Sequence, residues 1–202
     1  HVTTRVIVNN RAALDAAEAK ARTLGIAHAT VADAPLEGPS ADVGAAMARA
    51  LIARRAQAGG KASVLICGGE TTVAIPQPML TPAMRARSDS GALPPIPQPR
   101  GGRCQELALA AAHVLSEAGD SARGITLLAA GTDGCDGPTD AAGACVDAGT
   151  WDAIRSAGFD PAAALRAHES YTALDSAGAL LRTGPTGTNV ADVIIGLISA
   201  EP

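Results

Sequence analysis

The chain has 202 residues, 16 Lys and Arg against 20 Asp and Glu, and a formal net charge of −4. That length makes one large domain or two small ones, and 47% hydrophobic with 18% charged residues excludes a disordered or collagen-like chain. With 46 alanines but one Trp, one Tyr and one Phe, the core must be Ala, Leu, Val and Ile, and neither aromatic base stacking nor a basic footprint for nucleic acid is on offer. Residues 5–9 read as a buried strand, and Asn10 as the cap of a helix carrying Leu14, Ala17, Ala21 and Leu24 and closed by Gly25. Residues 26–32 make a second strand. Ser40 or Asp42 starts a helix with Val43, Met47, Ala50 and Leu51 inward, ended by Gly59-Gly60, and the wholly apolar 62–67 reads as a central parallel strand. Strand–helix alternation of this kind predicts an α/β fold, a mainly parallel or mixed sheet with flanking helices.

The pattern breaks at 74–99, which holds seven of the thirteen prolines and reads as an insertion or functional loop. Order resumes with a helix over 104–118 (Leu107, Ala108, Ala111, Val114 and Leu115 inward), strands at 125–130 and 143–147, and a short helix at 150–157. Asp160-Pro161 starts another helix, Ser170 caps one ending at Gly178, and 180–182 and 192–198 close the chain, the latter read as a strand. The domain reading is an α/β segment at 1–60 leading into a domain at 61–202.

Cys67, Cys104, Cys135 and Cys145 fit no zinc spacing and are too few for a disulfide scaffold, so reduced thiols in a cytoplasmic protein are expected. No apolar run approaches membrane-spanning length, which argues against a membrane partner. The start at His1, directly before a strand-like run, points to a missing upstream part.

Polar, glycine-rich sequence gathers after strands, where open α/β sheets bind ligands. The groups are Gly68-Gly69-Glu70-Thr71-Thr72, the stretch from Gly131 to Asp140, Thr183 to Asn189, and Gly101-Gly102-Arg103-Cys104-Gln105-Glu106 at a helix start. Bare glycines let backbone N–H groups reach phosphate oxygens, Arg103 is suited to a bidentate anion, and Asp133, Asp136 and Asp140 supply oxygens of the kind that hold Mg²⁺. These are parts of phosphoryl transfer. Any one such turn is more often only a turn; the coincidence of four carries the weight. His28, His113 and His168 stand singly and read as structural or surface residues. There is no G-x-x-x-x-G-K-[ST], no G-x-G-x-x-G, no EF-hand and no G-x-S-x-G.

The segments 67–73, 101–110, 127–144 and 183–190 resemble, in order, the signatures of the glycerate 2-kinase family, whose C-terminal domain is called MOFRL and many of whose members carry the name hydroxypyruvate reductase. The resemblance implies the C-terminal portion of a two-domain enzyme that phosphorylates D-glycerate to 2-phosphoglycerate with ATP and Mg²⁺ in the cleft between its domains. It implies Arg103 as catalytic. Substrate or nucleotide contacts would come from Gly68, Gly69, Glu70, Thr71, Thr72, Gln105, Glu106, Thr132, Gly134, Thr139, Thr186, Gly187, Thr188 and Asn189, and metal contacts from Asp133 and Asp136. Cys104 stands where the family usually has Asn, Cys135 where an aliphatic residue is usual, and His168-Glu169-Ser170-Tyr171 where Asn-Asp-Ser-Tyr is common. The family's catalytic lysine lies in its N-terminal domain and matches neither Lys20 nor Lys61, so this chain alone is expected to be inactive. Its partners would be glycerate, that missing domain and, as an open choice, a second copy. The competing readings are an NAD(P)H-dependent hydroxypyruvate reductase and a non-catalytic sugar-acid or nucleotide-binding module.

Overall fold

In the computed structural model, residues 2–3, 7–75 and 99–200 are described. Most of the proline-rich 74–99 stretch lies outside them, as do residues 5 and 6 of the strand expected at 5–9. Residues 7–9 are not a strand: Ile7 is 85% exposed, so its apolar character was not a sign of burial. Asn9, rather than Asn10, caps helix α1 (Asn10–Thr23) by accepting from Ala12 N, and Gly25 in the left-handed region ends it. Strand β1 (His28–Val31) follows, then α2 (Ser40–Gln57) and β2 (Ser63–Gly69). The buried stripe of α2 is Gly44, Met47, Ala48 and Leu51; Ala50 faces solvent, the three-residue step from Met47 having been read one position off the stripe.

Helix α3 (Arg103–Ala118) is buried around its whole circumference from Cys104 to Ala112. After it come β3 (Ile125–Gly131), β4 (Gly143–Asp147), α4 (Thr150–Ser156), α5 (Pro161–Arg166), α6 (Ser170–Ser176), β5 (Leu180–Leu181) and β6 (Asp192–Ile198). Asp160 caps α5 as expected. Ser170 is the first residue of α6 and not its cap, and its buried hydroxyl has no partner among the described residues.

The six strands form one mixed sheet in the order β1-β2-β6-β3-β4-β5. Only β1 and β2 pair in parallel; β6 runs antiparallel between β2 and β3, and β4 and β5 continue antiparallel. The expected central parallel strand is therefore parallel on one side only, because the last strand of the chain inserts beside it, and an apolar run does not encode the direction of its neighbour.

The sheet has two unequal faces. On one, α2 and α3 cross over Ile125, Leu127, Ala129, Ile194 and Ile198, with α4 and α6 closing the flank through Trp151, Ile154 and Leu174. On the other, α1 is the one helix among the described residues that covers Val64 and Ile66, and it leans on Val193, Ile195 and Leu197. The helices of the first face are in backbone contact: a side chain at Gly44 of α2 would overlap the carbonyl of Leu107 on α3. Small residues do here what aromatics do in other cores, and each fully buried Leu or Ile contributes about 1.5–3 kcal/mol.

Candidate active site

The N-terminus of α3 is where the glycine-rich segments converge. Its first amides need acceptors, and Asp136 supplies them from the loop after β3: Oδ1 accepts from Cys104 N at 3.1 Å and Oδ2 from Gln105 N at 2.8 Å. Gly102 allows this, since a side chain there would overlap the Asp136 carboxyl. Asp136 is 4% exposed, and burial pushes its carboxyl up to about 6, against the lowering effect of the two N–H groups. Gln105 is fully buried and donates to Asp136 O and Thr139 Oγ1, which in turn donates to Asp136 O. Asp136, Gln105 and Thr139 thus lock the loop to the helix. Asp136 is buried with both oxygens on helix amides, which makes it a poorer metal ligand than the partly exposed Asp133.

Arg103 leaves this helix end toward β6. Its Nε donates to Asp192 Oδ2 at 2.6 Å and an Nη to Oδ1 at 3.0 Å, a two-point grip on a carboxylate that is 3% exposed. The hydrogen bond that it donates to Asp192 raises the arginine's already high proton affinity. The other Nη faces Glu70, 65% exposed, at 3.1 Å. Asp192 therefore fixes the plane of the guanidinium, while Glu70 holds its free edge only by an exposed pair of the kind worth under about 1 kcal/mol.

One turn further along α3, Glu106 meets His168 Nδ1 at 2.6 Å. His168 (φ +57) and Ala191 (φ +66) are the two described non-glycine residues with positive φ, one inside the cleft and one beside Asp192. Such strain gathers at functional sites. Asp133, from the same loop as Asp136, accepts from Cys135 N and from Asn189 Nδ2.

Together these groups line an open cavity of about 510 Å³, a size that suits a small ligand. Of the residues expected at the site, Glu70, Thr71, Arg103, Glu106, Asp133, Asp136 and Asn189 line it. The others do not. Gly68 abuts the Asn10 side chain and Gly69 pairs with Leu36, while Thr72 bridges to Pro39. Gly134 packs on Gly184, Thr132 Oγ1 donates to Ala191 O and Thr186 Oγ1 to Thr132 O. Gly187 and Thr188 sit in the exposed part of that loop. Asp140 is engaged outside the cleft, where Tyr171 and Arg182 hold its carboxyl below the usual carboxylate range. Among the described residues no three His, Cys, Asp or Glu side chains gather as a metal cage.

Two residues of the site, His168 in the cleft and Asp192 behind Arg103, are not among the expected site residues. Asp192 heads an otherwise apolar strand, and a buried carboxylate in that position was the available signal. His168 is marked in the sequence only by standing where the resembled family commonly has Asn, and its partner lies 62 residues away. It is not a surface residue: it is 20% exposed, bonded to a buried carboxylate, and lines the cleft. The four cysteines are unpaired. Among the described residues no helix is long and apolar enough to cross a membrane.

The mixed α/β sheet thus carries, at the start of α3, a cleft lined by an arginine that a buried carboxylate braces. Residues 63–192 match the MOFRL family, and the chain belongs to it. It is 56% identical over 98 residues (48% of this chain, 22% of the relative) to a D-glycerate 2-kinase of Thermotoga maritima. It is 35% identical over 198 residues to a glycerate 2-kinase of Pyrococcus horikoshii, covering 97% of this chain and 39% of that one. A crystal structure of glycerate kinase from Thermotoga maritima superposes with a TM-score of 0.78 at 36% identity, covering 96% of this chain and 41% of that one. The chain thus covers between about one-fifth and two-fifths of the length of these relatives.

Proposed function

We propose that this chain is the C-terminal part of a D-glycerate 2-kinase that transfers the γ-phosphoryl group of ATP to the 2-hydroxyl of D-glycerate. The observation that carries the reading is Arg103, oriented by Asp192 from behind and held in front only by exposed Glu70. An incoming carboxylate or phosphate displaces Glu70 and meets a guanidinium already in plane, so little is spent on ordering it. The names of the relatives support the same reaction class and the use of ATP.

Mg²⁺ in such sites is held by one or two carboxylates and the substrate phosphates, with water completing the shell. Asp133 fits as that carboxylate, and the metal would neutralise phosphate charge there. Glu70, Thr71, Glu106 and Asn189 are the side chains placed to contact substrate or nucleotide. The cleft is short of positive charge: among its described lining residues Arg103 is the one permanent cation, facing Glu70, Glu106, Asp133 and Asp136. Anionic ATP and glycerate need further cations, which the rest of a longer protein would bring as a second wall. We accordingly place the activity in the full-length protein and not in this chain alone. A cytoplasmic setting is part of the proposal, supported by four unpaired cysteines.

The test is to incubate this chain and the full-length protein with glycerate and MgATP, reading phosphoester by ³¹P NMR, and with hydroxypyruvate and NADH, reading absorbance. The full-length protein is expected to make 2-phosphoglycerate and to leave NADH untouched. Arg103→Lys, which cannot span both Asp192 oxygens and an anion, should lower kcat/KM by at least about 100-fold with the fold intact. NADH oxidation without phosphoester would overturn the kinase reading in favour of the reductase, and full turnover by Arg103→Lys would remove Arg103 from the site.

A further inference from the structure

An antiparallel strand with one face in water alternates apolar residues with polar ones. Strands β3 and β6 do not: after Ile125 and Val193 respectively, they carry apolar residues toward both faces of the sheet. On the face that α1 occupies, the pairing sets these residues in rows. One row runs from Ile66 on β2 through Ile195 and Leu128 to Cys145 on β4. Ile66, under α1, is 1% exposed; Ile195 and Leu128 are half-buried, and Cys145 is exposed. The next row repeats the gradient, from buried Val64 through Leu197 and Thr126 to exposed Asp147. Strands lie about 4.8 Å apart, so each row is about 14 Å wide, and one helix about 10 Å across covers only part of it. Helix α1 makes its main sheet contacts with β1, β2 and β6, and Leu128 belongs to neither hydrophobic core.

The chain covers 39% and 41% of two of its relatives, so most of a protein of their length lies outside it. The polypeptide leading into α1 arrives at the open rows: Asn10 Nδ2 donates to Val190 O at 2.7 Å and to Asp192 O at 3.0 Å, where β6 begins. Just before it, Ile7 and Val8 are 85% and 56% exposed, apolar residues at the point of arrival. Asp147, at the rim, is the one charged residue in the two rows, so the surface that matches them is an apolar stripe.

We propose that an amphipathic helix from the polypeptide upstream of His1 packs beside α1 over Ile195, Leu197, Leu128 and Cys145, completing the second helical layer of this sheet. The inference rests on reading the chain as the C-terminal part of a longer protein, and not on the reaction. That helix belongs structurally to this domain although it lies elsewhere in the sequence.

The test uses the full-length protein, grown with the diazirine analogue of leucine and mixed from ¹⁵N-labelled and unlabelled batches before irradiation and digestion. Peptides holding Leu128 or Leu197 should cross-link to residues upstream of His1 in the same molecule. Alkylation followed peptide by peptide should find Cys145 at least about 100-fold slower in the native protein than in urea. Leu128→Arg, which forces a charge into the apolar layer, should speed alkylation of Cys145 at least about tenfold while Cys67 and Cys104, in the opposite core, stay protected. The absence of any link to residues upstream of His1 overturns the proposal. Links between labelled and unlabelled copies overturn it in favour of a dimer formed through this face. Native Cys145 alkylated within about threefold of its rate in urea overturns it outright, since the face is then bare. The cross-link and the native alkylation rate use the unmodified sequence, so they decide even where Leu128→Arg fails to fold. A full-length protein that makes no phosphoester defeats the kinase reading alone and leaves these readouts unmoved.

Discussion

Helices α1 and α3 cover opposite faces of the same sheet and are held in contrasting ways. The first is capped by its own neighbour, Asn9, at the surface, and it buries only Leu14 and Ala21. The second is capped by Asp136, more than thirty residues away and buried, and it packs from all sides against α2, the sheet and the short helices. The difference teaches where precision is invested. Arg103 and Glu106 ride on the helix that cannot shift without disturbing α2, β3 and the Asp136 loop, which is how a site gains the rigidity that positioned charges need. Helix α1 supplies no cleft lining among the described residues and reaches the site only through Asn10 Nδ2, which donates to Val190 O and Asp192 O.

The sharpest way to break that contrast is by cavity. Leu115→Ala on α3, where the leucine is wholly buried, should cost about 4–5 kcal/mol, because close-packed alanine neighbours cannot collapse into the gap. Leu14→Ala on α1 should cost no more than about 2–3 kcal/mol, since one thinly packed helix can settle. Equal losses in urea unfolding would show that the two faces are equally rigid.

A second test uses the cap. With its carboxyl at about 6 when folded, against an ordinary 3.8, Asp136 holds more protons in the folded than in the unfolded state between those values. Its contribution to stability is therefore fully present below about pH 4 and is lost as pH rises through about 6, by on the order of 3 kcal/mol. Asp136→Asn should flatten that slope and, by leaving one helix amide short of an acceptor, cost about 1–2 kcal/mol at neutral pH. An unchanged slope in unfolding measured from pH 4 to 7 would mean that the buried carboxyl does not titrate as described. The smallest effect belongs to the local cap: Asn9→Ala should cost about 1 kcal/mol, with no dependence on pH across the same range.

The sequence alone carried whatever is decided within a few residues. Apolar periodicity located most of the helices and strands, Gly25 and the Asp160-Pro161 pair marked helix ends, and the Gly101–Glu106 segment marked the start of α3. The glycine-rich turns announced where strands end, and the order of four motifs pointed to the family. What tertiary structure alone decided are relations between distant segments. β6 enters antiparallel beside β2, Asp136 is spent on capping α3, Asp192 braces Arg103 across 89 residues, and His168 is brought to Glu106 across 62. Local preferences act through bonds and turns that neighbours share, whereas a carboxylate becomes a cap, a brace or an exposed charge according to what the fold packs against it.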